Sequence, residues 1–268
     1  MLPLQEGLVY GPVRSRRLGY SLGINILPRH TKLCTFNCTY CQYGWTKSIV
    51  RDGRESTEPW PSSAAVVKAV TLRLKRLLAA GDPIDRLTLA GNGEPTLHPQ
   101  FPAVVRDLLA TRDAVAPGLP LAALSNSSTL DLPGVVGALN ALDERYMKLD
   151  AGEPTILRRI NAAQIPLDQI VAGLGRLKPF TVQAMFVRDR LGRIDNASDL
   201  AVALWIGTLQ ALHPMAVQIY SIDRAPAWPY LQAIPPARLE EISRRACAAG
   251  LTARAFGAGG AAIEPNPR

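Results

Sequence analysis

A chain of 268 residues, 47% of them hydrophobic and 19% charged, is long enough to bury a sizeable core as one large domain or two small ones. Four cysteines, three of them crowded together, do not make a secreted disulfide framework, and no run of about 18 apolar residues marks a membrane span. The 30 Lys and Arg against 22 Asp and Glu, a formal charge of +8, favour anionic partners such as nucleic acid, nucleotides or phosphorylated metabolites. Residues 1–10 lack the basic start and apolar run of a signal peptide, so the expected compartment is the cytoplasm, with no membrane partner.

In chain order, the glycine-punctuated basic stretch Gly11-Pro-Val-Arg-Ser-Arg-Arg-Leu-Gly19 predicts a loop or short hairpin. Leu22, Ile24 and Ile26 alternate up to Pro28 and predict a first strand over 20–27. The cysteine-rich stretch follows at once, and 47–61 reads as a surface excursion without a period. Val66, Val67, Val70, Leu74, Leu77 and Leu78 recur at helical spacing, with Ser62 or Ser63 as cap and Gly81 as stop. A short strand over 86–91 then leads into Asn92-Gly93-Glu94-Pro95. Beyond it, helices are expected over 101–111, 135–142, 167–177, 197–212 and 236–249. Strands are expected over 121–126, 145–150, 181–187 and 216–223, with 252–256 also extended.

Six strands alternating with helices predict an α/β fold with parallel strands and outer helices, closed into a full or partial barrel or left as an open sheet. In all of these, ligands bind at the carboxyl ends of strands. The polar residues there are the cysteine loop, the turn from Gly91 to Glu94, Asn126, Lys148, Asp150, Gln183 and the stretch 220–224. No low-complexity linker divides the chain, so a single domain over 1–268 is expected: an N-terminal loop or hairpin (1–19), the α/β body (about 20–250) and a short C-terminal tail.

The chemistry concentrates in Cys34-Thr35-Phe36-Asn37-Cys38-Thr39-Tyr40-Cys41, a C-x3-C-x2-C spacing. Three thiolates on one tight loop suit a soft metal centre and leave one position open. A structural zinc site would need a fourth ligand from Cys247, His30, His98 or His213, none of which shows the paired spacing of zinc modules. A redox pair would use Cys38 and Cys41 and leave Cys34 idle. The basic residues Arg14, Arg16, Arg17 and Arg224 are candidate substrate contacts at the mouth of the sheet. Cys247, on an amphipathic helix, reads as a small packing residue.

Cys34-x3-Cys38-x-Tyr40-Cys41 resembles the signature of the radical S-adenosylmethionine (AdoMet) superfamily, and Gly91-Asn-Gly-Glu-Pro95 resembles its glycine–glutamate motif. The resemblance implies a partial (β/α)6 TIM-like barrel and an enzyme that uses a 4Fe–4S cluster and AdoMet. In that chemistry AdoMet is cleaved reductively to a 5′-deoxyadenosyl radical, which takes a hydrogen atom from substrate. It implies Cys34, Cys38 and Cys41 as cluster ligands, Tyr40 beside the adenine, and Gly91, Asn92, Gly93 and Glu94 around the methionine part. Asn126, Lys148, Asp150 and Gln183 would line the AdoMet pocket, and the reductant would be a protein such as flavodoxin or ferredoxin.

Gly11–Gly19, Gly93-Glu-Pro-Thr-Leu97, Lys148-Leu-Asp-Ala151 and Val217-Gln-Ile-Tyr-Ser-Ile-Asp-Arg224 look like the stand-alone Fe–S oxidoreductases related to wyosine-forming tRNA enzymes. Those tRNA enzymes carry a second cluster on additional cysteines, whereas only Cys247 remains here. The expected substrate is therefore a small molecule or an RNA. The other reading is a nucleic-acid-associated protein with structural zinc at the cysteine loop.

Overall fold

A computed structural model describes residues 1–257; beyond residue 257 the expected C-terminal tail lies outside the described residues. The chain falls into two compact units, one of residues 3–35 and 46–146, the other of residues 1–2, 36–45 and the chain from 147 on.

In the first unit, strands β1 (Val9–Ser15) and β2 (Gly19–Ile24) form an antiparallel hairpin, so the expected hairpin holds and gains a full strand. Its turn sits at the amino-terminal end of β2. Arg14, Arg16 and Arg17 are therefore at the opposite end of that strand from the cysteine loop, which corrects their expected place at the mouth. Two-residue strands β3 (Leu33–Cys34) and β4 (Ser48–Ile49) pair in parallel, inside a region read from sequence as irregular.

Helix α1 (Ser63–Ala80) starts where Ser62 Oγ accepts from the Ala65 N–H and stops at Gly81, whose φ of 70° only glycine adopts without strain. It buries Val66, Val70, Leu74 and Leu77, while Leu78 is turned outward: the inner stripe is narrower than the apolar pattern. Strand β5 (Arg86–Leu89), helix α2 (Phe101–Val115), strand β6 (Leu121–Ser125) and helix α3 (Val135–Ala141) follow, with α2 four residues longer than expected. Strands β2, β5 and β6 are parallel, and β7 (Glu144–Lys148) carries the chain into the second unit. Leu33, Val50 and Leu97 form one buried cluster with Trp60 against it; Leu18, Ala122 and Tyr146 form another.

The second unit opens with a helix the sequence pattern did not reveal, α4 (Pro154–Asn161). Glu153 caps it, accepting from the N–H groups of Thr155 and Ile156 at 2.8 Å each, and Pro154 occupies the first turn where no donor is needed. After α5 (Leu167–Leu174), β8 (Thr181–Met185) ends two residues early, and β9 (Val187–Asp189) peels away. Helix α6 (Asp199–Leu212) leads to β10 (Ala216–Tyr220). Strand β11 (Leu231–Ala233) pairs antiparallel with β9, and α7 (Pro236–Ala248) returns to β12 (Ala253–Phe256). Strands β8, β10 and β12 are parallel. Ile160, Val187, Ile194 and Leu231 form a buried cluster on which Tyr40, Met185, Ile222 and Trp228 pack.

The fold class is the expected α/β one. One eight-stranded, mostly parallel sheet runs in the order β1-β2-β5-β6-β7-β8-β10-β12, the succession of a partial (β/α)6 barrel with antiparallel β1 at its start and β12 added at its end. Among the described residues no helix is long and apolar enough to cross a membrane.

Candidate functional site

The cysteine loop follows the carboxyl end of β2, where ligands of parallel α/β sheets bind. Its first part belongs to the first unit. Leu33 receives a bridge from the turn after β5: its N–H donates to Asn92 O and its carbonyl accepts from Glu94 N–H, both at 3.0 Å. That exchange explains the glycines. Gly93 has φ 140°, and a Cβ there would stand 1.7 Å from the Leu33 carbonyl oxygen; one on Gly91 would stand 2.2 Å from Asn25 Oδ1. Gly93 is required by close approach of the Leu33 backbone, and Gly91 by close approach of the Asn25 side chain. Gly93→Ala is expected to cost at least about 3 kcal/mol from strain and overpacking together, read as a fall in the urea midpoint with unchanged slope.

Asn92 is fully buried. Its side chain accepts from Gln5 N–H at 2.7 Å and donates to Gln5 O at 3.0 Å and Pro28 O at 3.1 Å, so it ties the turn to the chain's first residues. Glu94 is also buried. One carboxylate oxygen accepts from Thr96 Oγ1 (2.6 Å), the other from the Asn126 N–H (2.6 Å). Burial raises its pKa, and the N–H and O–H donors from Asn126 and Thr96 pull the other way. Asn126, thus held by its backbone, turns its amide Nδ2 to Thr35 Oγ1 (2.8 Å) and to Cys34 Sγ (3.5 Å).

The second unit holds the rest of the loop. Asn37 and Thr39 donate their N–H groups to Asn161 O (2.9 Å) and Ile160 O (2.8 Å), which anchors the loop on the last turn of α4. Asn161 then places its Nδ2 at 2.9 Å from Asp150 Oδ2, 3.0 Å from Tyr40 Oη and 3.2 Å from Cys38 Sγ. Burial pushes the Cys38 thiol up to about 11, opposed by the Asn161 N–H, so a metal bound there displaces a proton.

Asp150 is the hub of this set, its side chain 1% exposed. It accepts from Tyr40 Oη, from Asn161, from Met185 N–H at 2.8 Å, and forms an ion pair with Lys148 Nζ at 2.8 Å. Lys148 also donates to Tyr220 Oη (3.1 Å) and lies over the rings of Tyr40 and Tyr220. Burial lowers the Lys148 pKa, but Asp150 and Tyr220 more than offset it, so the ammonium stays charged, a poor nucleophile for an imine. Burial, then the Asp150 charge, raises Tyr40 well above an ordinary phenol. Gln183 donates to Gln218 Oε1 at 2.8 Å, its register partner on β10.

Among the described residues no three His, Cys, Asp or Glu side chains gather tightly enough to hold a single metal ion. A 4Fe–4S cluster spreads its thiolates over separate irons and needs no such convergence. His98 is engaged at both ring nitrogens, by Pro61 O and the Gln100 N–H. Cys247 is exposed rather than packed, its thiol near Ala253 O. Arg224 donates to Gln42 Oε1. The residue sequence reasoning missed is Asn161; an acidic cap followed by proline at 153–154 was the signal for its helix.

This strand order, with a three-cysteine loop after the first parallel strand, is an α/β framework that places its loops at the ligand-binding ends of the strands. Residues 29–186 match the radical SAM superfamily, and the chain belongs to it. A UPF0026 protein of Helicobacter pylori (strain 26695) is 31% identical over 221 residues, 81% of this chain and 67% of that protein. A Brachyspira hyodysenteriae protein called GTPase Obg is 32% identical over 173 residues, 64% of this chain; the chain spans only 23% of that protein's length. The structure of TYW1 with a lysine-pyruvate adduct bound shares the fold, with a TM-score of 0.61 at 15% identity over 84% of this chain and 72% of that one.

Proposed function

We propose that this enzyme holds one 4Fe–4S cluster on Cys34, Cys38 and Cys41 and cleaves AdoMet reductively, with a small flavin or iron–sulfur protein as electron donor. The observation that carries the reading is that two of the three cysteine sulfurs have an asparagine Nδ2 within hydrogen-bond reach, Asn126 at Cys34 and Asn161 at Cys38. Donors aimed at sulfur suit a thiolate that shares charge with a cluster, and a buried packing cysteine has no use for them.

Bound together, the cluster and AdoMet supply one-electron cleavage of a sulfonium carbon–sulfur bond and a 5′-deoxyadenosyl radical that takes hydrogen from substrate. The protein's own work is positional. Glu94 clamps the Asn126 backbone, and Leu33 and Gly93 lock the turn that is to hold the methionine end. The Asp150 hub fixes Tyr40 and the Lys148 ammonium beside the loop, so that Lys148 can meet an anionic group of the ligand.

The test is anaerobic reconstitution with iron and sulfide, reduction with dithionite, and chromatography for 5′-deoxyadenosine. Its formation from AdoMet is the expected result; a protein that takes up zinc and no iron–sulfur cluster would sink the reading.

A further inference from the structure

Asn161 is held in an arrangement that its own hydrogen bonding does not favour. Its Nδ2 faces three acceptors, Asp150 Oδ2, Tyr40 Oη and Cys38 Sγ, with two hydrogens to offer. Its Oδ1, buried, accepts no hydrogen bond among the described residues. Flipping the amide would set an oxygen against a carboxylate, so the orientation is fixed by Asp150, and an unpaired buried acceptor is the consequence. Asn126 is fixed by different means: Glu94 accepts its backbone N–H, its own Oδ1 accepts from Ser128 N–H at 3.0 Å, and Thr35 Oγ1 accepts from the same Nδ2 that reaches Cys34. In each unit, then, a separate network aims one amide at one cysteine sulfur.

We infer that Asn126 and Asn161 are positioning residues that set the reduction potential of the cluster, an inference resting on the ligand assignment above. One-electron reduction adds negative charge that spreads onto the sulfurs. The positive end of an N–H dipole at a ligating sulfur lowers the energy of the reduced form more than that of the oxidised form, and so raises the potential. Asn161 has a second consequence. Because Asp150 orients it, the charge pair at Lys148 and the cysteine loop share one hydrogen-bonded chain, running Lys148, Asp150, Asn161, Cys38.

The experiment is a redox titration of the reconstituted protein followed by electron paramagnetic resonance, comparing wild type with Asn161→Leu and Asn126→Leu. Leucine keeps the branched outline of the side chain and removes the donor. Each leucine variant is expected to need a more negative potential. At a fixed ambient potential near the midpoint its reduced-to-oxidised ratio should fall about tenfold, which is 59 mV for one electron.

Reduced-to-oxidised ratios within threefold of wild type in loaded variants would overturn the inference. So would failure of both leucine variants to hold a cluster that the wild type holds, since the asparagines would then serve only to place the ligand loop. A wild-type protein that forms no cluster would instead defeat the ligand assignment itself.

Discussion

Replacing Cys34, Cys38 and Cys41 together by alanine is expected to abolish cluster absorbance and to bring 5′-deoxyadenosine down to the background of the reagents. The fold should survive. Only Cys34 is buried among the three, and the loop is anchored through backbone bonds, Asn37 and Thr39 to α4 and Cys34 O to Val50 N–H, that alanine leaves in place. A thermal midpoint within a few degrees of wild type would show this, because small changes at partly exposed positions move stability by about 0.5 kcal/mol. Cys247→Ala supplies the contrast. That thiol is exposed on α7, and its loss should leave iron content and product unchanged. A triple variant that still made 5′-deoxyadenosine would remove the three cysteines from the ligand set.

Asp150→Ala should produce the largest loss of stability, about 3–5 kcal/mol, the usual result of deleting one partner of a buried ion pair. The substitution strips Lys148 of its anionic partner and takes an acceptor from Tyr40, Asn161 and the Met185 N–H at once. Urea unfolding would measure it. The cause can be separated from mere cavity formation by adding Lys148→Met: if uncompensated charge dominates, the double variant should recover much of the loss. Equal stability of the single and double variants would assign the effect to the lost hydrogen bonds instead.

The strand–helix alternation was legible because each long element carries its own period and its own caps, as α1 does with Ser62 and Gly81. The cysteine spacing and the Gly91–Glu94 turn were legible for a similar reason: both are local. What sequence could not show was set by partners far along the chain. Nothing local to Asn92 shows that Gln5, 87 positions away, bonds its amide. Nothing local to Gly93 shows that the Leu33 carbonyl stands where a Cβ would be. Asn161 sits in an eight-residue helix with only three aliphatic residues, too short for periodicity to register, yet it touches Cys38 across 123 positions. Strands β9 and β11 stabilise each other, and neither three-residue run signals a strand alone.

Strand β1 lies at the margin of the eight-stranded sheet, and its construction bears on how the protein behaves in a concentrated tube. Pro12 removes one donor, the register slips between Tyr10 and Val13, Arg14 stands exposed, and Arg73 of α1 donates to the Gly11 carbonyl at 2.6 Å. Each device makes the border a poor template for another chain to zip onto. Deleting the first fifteen residues would instead leave the backbone N–H and C=O groups of β2 without their β1 partners. The little hairpin that precedes all the chemistry is then a guard against fibre growth, and trimming it to aid crystallisation would invite precipitation.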